Sequence, residues 1–160
     1  MSRILAVVIL AALFLAPTGC ASLQTQQQEP FAGYPSQIDR FDFKVAWRTS
    51  KTKEGLAVDV VLKNVRYLLV NDMTLEVSLQ GKGQKVLSKG SDYRLQDLRD
   101  GEYANLHVFL KDASVSSGDQ LHFQIRYNGI EGSVAHNIVS DFTVNAITGV
   151  IIRDKREFEQ

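Results

Sequence analysis

The sequence predicts an all-β domain, an immunoglobulin-like antiparallel sandwich of seven or eight strands without a disulfide, with a small closed barrel as the alternative. Three observations predict it. From Phe41 onward apolar residues recur at every second position, the period of a strand buried on one face. Turn signals rich in glycine, asparagine and aspartate separate those runs. No stretch holds a helical period, and the one cysteine, Cys20, precedes every run.

The strands follow in order. FDFKVAW places Phe41, Phe43, Val45 and Trp47 on one side and Asp42, Lys44 and Ala46 on the other. LAVDVVLK directs Leu56, Val58, Val60 and Leu62 inward, against Asp59 and Lys63. MTLEVSL repeats the pattern with Met73, Leu75, Val77 and Leu79, and ANLHVFL with Ala104, Leu106, Val108 and Leu110. LHFQIRY turns Leu121, Phe123, Ile125 and Tyr127 inward. Weaker strands are predicted near 84–88 (QKVLS), 137–145 (NIVSDFTVN) and 149–153 (GVIIR). Turns fall at Gly81-Lys82-Gly83, Asp100-Gly101, Ser117-Gly118 and Asn128-Gly129. Strands that are apolar on one face bury it by pairing two sheets. RYLLVND, over 66–72, breaks the alternation. It reads either as a strand start buried on both sides or as an exposed patch.

Between about 55 and 127 the chain is similar to the FxLYD-type domains of bacterial extracytoplasmic proteins. The resemblance lies in the strand ending Lys63-Asn64, the second strand LEVSL, and the turn from Leu98 to Glu102 before an outgoing strand. Leu79-Gln80 stands where that family carries an aromatic-aspartate pair. The resemblance implies a binding or accessory module and no reaction.

Ahead of the domain, Arg3 is followed by an unbroken apolar run from Ile4 to Ala16. A spanning helix needs about 20 residues, and this run has instead the length of the apolar core of a secretion signal. Pro17, Thr18 and Gly19 end it just before Cys20. The whole resembles a bacterial lipoprotein signal with LAPTGC as its lipobox, Pro17 standing where that family usually has leucine. The resemblance implies cleavage before Cys20 and acylation of its sulfur and new amino group. Ala21, in place of aspartate, implies the periplasmic face of the outer membrane. Two other readings stay open: an ordinary secretory signal cut after Ala21, and an uncleaved anchor. A lone thiol in an exported domain serves no internal disulfide, and two or more acyl chains anchor stably where one does not.

SLQTQQQEPFAGYPSQ, over 22–37, has no hydrophobic period and is interrupted by Pro30 and Pro35. It reads as a linker reaching at most roughly 50 Å, with Phe31 and Tyr34 loosely ordered. The expected organisation is a signal peptide over 1–19, lipidated cysteine and linker over 20–38, sandwich over 39–154 and charged tail over 155–160.

Lysine plus arginine equal aspartate plus glutamate at 18 each, which leaves no electrostatic footprint for nucleic acid. No serine lies in G-x-S-x-G, and GKG at 81–83 lacks the spacing of a phosphate loop. Carboxylates such as Asp97 and Asp100, or Glu157 and Glu159, fall in turns or the tail, where nothing raises their pKa for acid catalysis. No enzyme and no cofactor are expected. If the strands carrying His107 and His122 form a hairpin, one register sets the two imidazoles opposite each other, with Cβ atoms about 4.5–5.5 Å apart. His136 has no assured place beside them, and two exposed ligands make an adventitious metal site. Tyr67, Leu68, Leu69 and Phe109, with Val61, form a possible partner surface. The expected role is therefore a membrane-anchored envelope lipoprotein that binds a protein partner without catalysis. The alternative is a ligand or metal carrier using the sheet face bearing His107 and His122.

Overall fold

A computed structural model of the chain describes residues 30–157. Among them the alternating runs become nine strands: β1 (Ser36–Asp39), β2 (Phe43–Lys51), β3 (Gly55–Asn64), β4 (Leu69–Gln80), β5 (Val86–Arg94), β6 (Tyr103–Lys111), β7 (Gln120–Glu131), β8 (Val134–Asn145) and β9 (Ile151–Glu157). They form two antiparallel sheets in the orders β1-β2-β3-β6 and β5-β4-β7-β8-β9. The result is the expected immunoglobulin-like sandwich, not a closed barrel.

The core lies between the sheets and consists of the residues that the period of two turns inward. Val45, Val58, Leu62, Leu75, Val77, Val108 and Ile125 are fully buried. Each such side chain contributes about 1.5–3 kcal/mol on leaving water. At its centre Trp47 lies against Phe123 and Phe142, at ring-centroid distances of 5.4 and 5.5 Å, and the two phenylalanines stack at 4.7 Å.

The two sheets also touch along one side. β5 leans over the free edge of β6: the Ser88 hydroxyl donates to the Lys111 carbonyl at 2.8 Å, and Asp92 Oδ2 accepts the His107 backbone N–H at 2.8 Å. Gly90 permits this approach, because a Cβ there would stand 2.4 Å from the Phe109 carbonyl oxygen. The contact shields an edge that would otherwise offer unpaired backbone groups.

Four expectations are corrected. The strand count rises to nine because β1 forms inside the predicted linker, with Ile38 facing the core opposite Val45. Four residues are too few to show an alternation. Phe31 is not loosely ordered: it is buried on the outer face of the β1-β2-β3-β6 sheet with Ala46 and Val61, beside Tyr34 and Tyr103. β9 continues to Glu157, past the expected domain end at 154 and into the predicted tail.

The fourth correction concerns β6 and β7, which do not form a hairpin. β6 pairs with β3 and β7 with β4, so the chain crosses from one sheet to the other between them. The eight residues Asp112–Asp119 make an arch whose Ala113 and Val115 lie against the core. A solvated hairpin loop would have had no use for those apolar side chains.

RYLLVND resolves into a β-bulge. The β4–β7 register shifts between Asn71 and Thr74, with Asp72 at a φ of 48°. Leu68 and Val70 before the shift, and Met73 and Leu75 after it, thus share the buried face. One extra residue in a strand produces this change of parity.

Asn64 ties the same end together. Its side chain is fully buried, donates to the carbonyls of Leu68 (2.7 Å) and Leu98 (3.0 Å), and accepts the Arg66 N–H (2.9 Å). Its backbone bonds to Glu102 and Gly101. The Lys63-Asn64 and Leu98–Glu102 motifs are therefore one structural unit.

Candidate functional site

The two histidines singled out by spacing lie on opposite outer faces of the sandwich. His107 is on β6, turned away from the core on the four-stranded sheet, and His122 is on β7, turned outward on the five-stranded one. No sheet face bears both, so the carrier reading that needed them together is corrected by the arch between their strands. Among the described residues no group of three or more histidines, cysteines, aspartates or glutamates is arranged to hold a metal ion.

Each histidine instead has a partner on its neighbouring strand. The β3–β6 register sets His107 opposite Asp59, and its Nδ1 lies 2.6 Å from Asp59 Oδ1. Arg48, opposite Asp59 on β2, donates from Nε to Oδ2 at 3.0 Å. The hydrogen bond from His107, with help from Arg48, holds the Asp59 carboxyl below its ordinary range against the opposing effect of burial. Arg48 also lies 5.3 Å over the Tyr34 ring. This exposed network fastens three strands and the segment before β1. His122 Nδ1 lies 3.1 Å from the Thr143 hydroxyl and borders a groove of about 300 Å³ with Gln80, Gln84, Gln120 and Arg153.

A buried polar pair closes one end of the core. Tyr127 donates its hydroxyl to Asp42 Oδ2 at 2.5 Å, and its ring meets Phe43 edge-on at 4.9 Å. Burial first, then the hydrogen bond to Asp42, pushes the Tyr127 phenol far above its ordinary pKa. A phenol held so firmly in its protonated form braces the fold and offers no proton for exchange near neutral pH.

The expected partner surface is not assembled as expected. Tyr67 is 96% exposed, but Leu68 is buried and Leu69 half-buried. Phe109 is 38% exposed and lies two residues from the other end of β6, opposite Ala57. Val61 does point outward from its sheet, as the period requires, but Phe31 covers it. Cys20, the expected lipidation site, lies outside the described residues.

Another exposed apolar surface is one that alternation does not flag. The turn from β8 to β9 carries Ile147 and Val150, 64% and 63% exposed, and continues into Ile151 and Ile152, each about half exposed. β9 is an outer strand of its sheet. The signal was present as ITGVII, an apolar run across a turn, where solvated residues are the rule.

No family model matches the chain, and no curated protein matches it. Among solved structures it is similar to the GAE domain of GGA2p from Saccharomyces cerevisiae, with a TM-score of 0.37 and 11% identity, covering 69% of this chain and 98% of that one. The yeast GGA1 GAE domain matches with a TM-score of 0.33 and 12% identity, covering 67% and 97% respectively.

Proposed function

We propose that the chain is a bacterial envelope lipoprotein, held by acylated Cys20 at the periplasmic face of the outer membrane, whose sandwich binds a protein partner without catalysing a reaction. The observation that carries the binding role is the exposed aliphatic turn of Ile147, Val150, Ile151 and Ile152 leading into the edge strand β9. Clustered branched aliphatics at an edge supply the two elements of strand addition. Backbone groups give the pairing, and apolar side chains give the burial that makes it favourable. The lipid anchor rests on the lipobox resemblance.

Photo-crosslinking in intact cells tests the binding role. A photoreactive residue at Ile147 is expected to give one discrete adduct that Ile152→Lys abolishes, while the same residue at Arg126 gives none. Equal labelling from both positions, or none from Ile147, overturns the surface. The anchor is tested separately by the mass of the mature N-terminal peptide. A diacyl or triacyl Cys20 is expected, and an unmodified start at Ser22 overturns it.

A further inference from the structure

The outer face of the five-stranded sheet carries a polar groove that neither the core nor the aliphatic turn accounts for. Its floor is one cross-strand row. The registers set His122 on β7 opposite Thr143 on β8, and Thr143 opposite Arg153 on β9. Thr143 is only 6% exposed although it lines the groove, so its neighbours wall it in. Its hydroxyl and His122 Nδ1, 3.1 Å apart, fix the imidazole and leave Nε2 for another partner.

Two glutamines form the next row, Gln80 on β4 standing opposite Gln120 on β7. Gln84 adds a third amide from the β4–β5 turn. It is held there at a φ of 62°, a left-handed conformation that costs a glutamine energy. With Asp141 and Ile152 these residues line about 300 Å³, the lower end of the about 300–1,000 Å³ that small-molecule sites occupy. The Asp141 carboxyl is the unusual member. Its Oδ1 is buried without a hydrogen-bond partner among the described residues, a condition that native structures rarely leave uncompensated. A donor arriving in the groove lets the carboxyl turn and meet it.

Chemistry then selects the ligand. Arg153 and Asp141 are the formally charged residues of the lining and cancel, which removes the excess that would draw an ion. Among the described residues the lining holds no phenylalanine, tyrosine or tryptophan, so a flat base has no broad face on which to stack. Amides, imidazole and hydroxyl both donate and accept hydrogen bonds. Adjacent hydroxyls of a sugar ring do the same, and the half-exposed Ile152 side chain offers aliphatic surface to the C–H face of such a ring. We propose that this groove binds a short neutral saccharide, its hydroxyls paired with the three glutamine amides, His122 and Asp141. His107, on the other sheet, takes no part. Neither the lipid anchor nor the partner surface is required, and Ile152, which borders both groove and turn, is left unchanged in the test.

Full-length isotope-labelled protein is titrated with glucose, maltose, N-acetylglucosamine and N,N′-diacetylchitobiose while side-chain amide and imidazole resonances are followed. At least one saccharide is expected to saturate the Gln80, Gln120 and His122 signals with a Kd of about 1 mM or tighter. Asp141→Asn should weaken that binding by about two- to tenfold, the effect of one hydrogen bond. Gln84→Ala, in an exposed turn where folding is not at stake, should do the same, and Arg126→Ala, on the same face outside the groove, should bind like the parent. No response to any of the four sugars, shifts that climb without saturating, or an affinity unchanged in both groove variants overturns the site. A stronger response to inorganic phosphate makes the groove an anion site and overturns the saccharide. Crosslinking from Ile147 is indifferent to these variants, so the groove and the partner surface fail separately.

Discussion

Replacing Asn64 with alanine removes three hydrogen bonds from a side chain with no exposed surface. The donors to the Leu68 and Leu98 carbonyls vanish, as does the acceptor for the Arg66 N–H. Leu98 keeps a partner, because the Val70 N–H also donates to its carbonyl at 3.1 Å. Two backbone groups, the Leu68 carbonyl and the Arg66 N–H, are left unmatched. A buried group without a partner costs about 1–3 kcal/mol, and the partial burial around Arg66 favours the low end for that one, so the expected loss is about 2–4 kcal/mol. Against a typical total of about 5–15 kcal/mol this is severe. In urea, where a domain of this size has a slope near about 2 kcal/mol/M, the midpoint should fall by about 1–2 M with the slope unchanged. Asn64→Asp is the informative companion. It keeps the shape but turns acceptors toward two carbonyls, so it should be at least as destabilising as alanine. An alanine variant within about 0.5 kcal/mol of the parent, the usual effect of a surface change, refutes the reasoning. So does an aspartate better tolerated than alanine.

Two further outcomes test other parts of the fold. Phe31→Ala should cost about 1.5–3 kcal/mol, the value of burying that ring, and should admit protease between Pro30 and Ser36. Thermal unfolding unchanged from the parent would return the segment to linker status. Tyr127 sets the alkaline limit: its folded pKa is raised, so the folded state keeps a proton that the unfolded chain releases above its ordinary value of about 10. Its contribution is intact below pH 10 and falls with rising pH by about 1.4 kcal/mol per unit. The stability gap between the parent and Tyr127→Phe in urea titrations should therefore narrow from pH 9 to 11, and a constant gap would sink the assignment.

Alternation made the inward faces legible because it is a local property. Phe43, Val45, Trp47 and the inward residues of β3, β4, β6 and β7 can be read from the period of two without knowing any strand's neighbour. The Lys63-Asn64 and Leu98–Glu102 motifs were visible as well, though not the hydrogen bonds joining them across 34 positions. Neighbours are another matter. An apolar-faced strand buries itself equally well in a hairpin or across an arch, so nothing local told β6 to pair with β3 and not with β7. That choice separated His107 from His122 and paired His107 with Asp59. Exposure had the same origin: Val61 and Phe109 share the outward parity of their sheet, yet Phe31 covers Val61 and leaves Phe109 half open. By itself the sequence determined the class of the fold, its inward residues and, through the lipobox resemblance, an expected anchor. Only tertiary structure decided strand partners, the docking of residues 31–39 and the exposed apolar surfaces, because each depends on contacts between residues far apart in the chain.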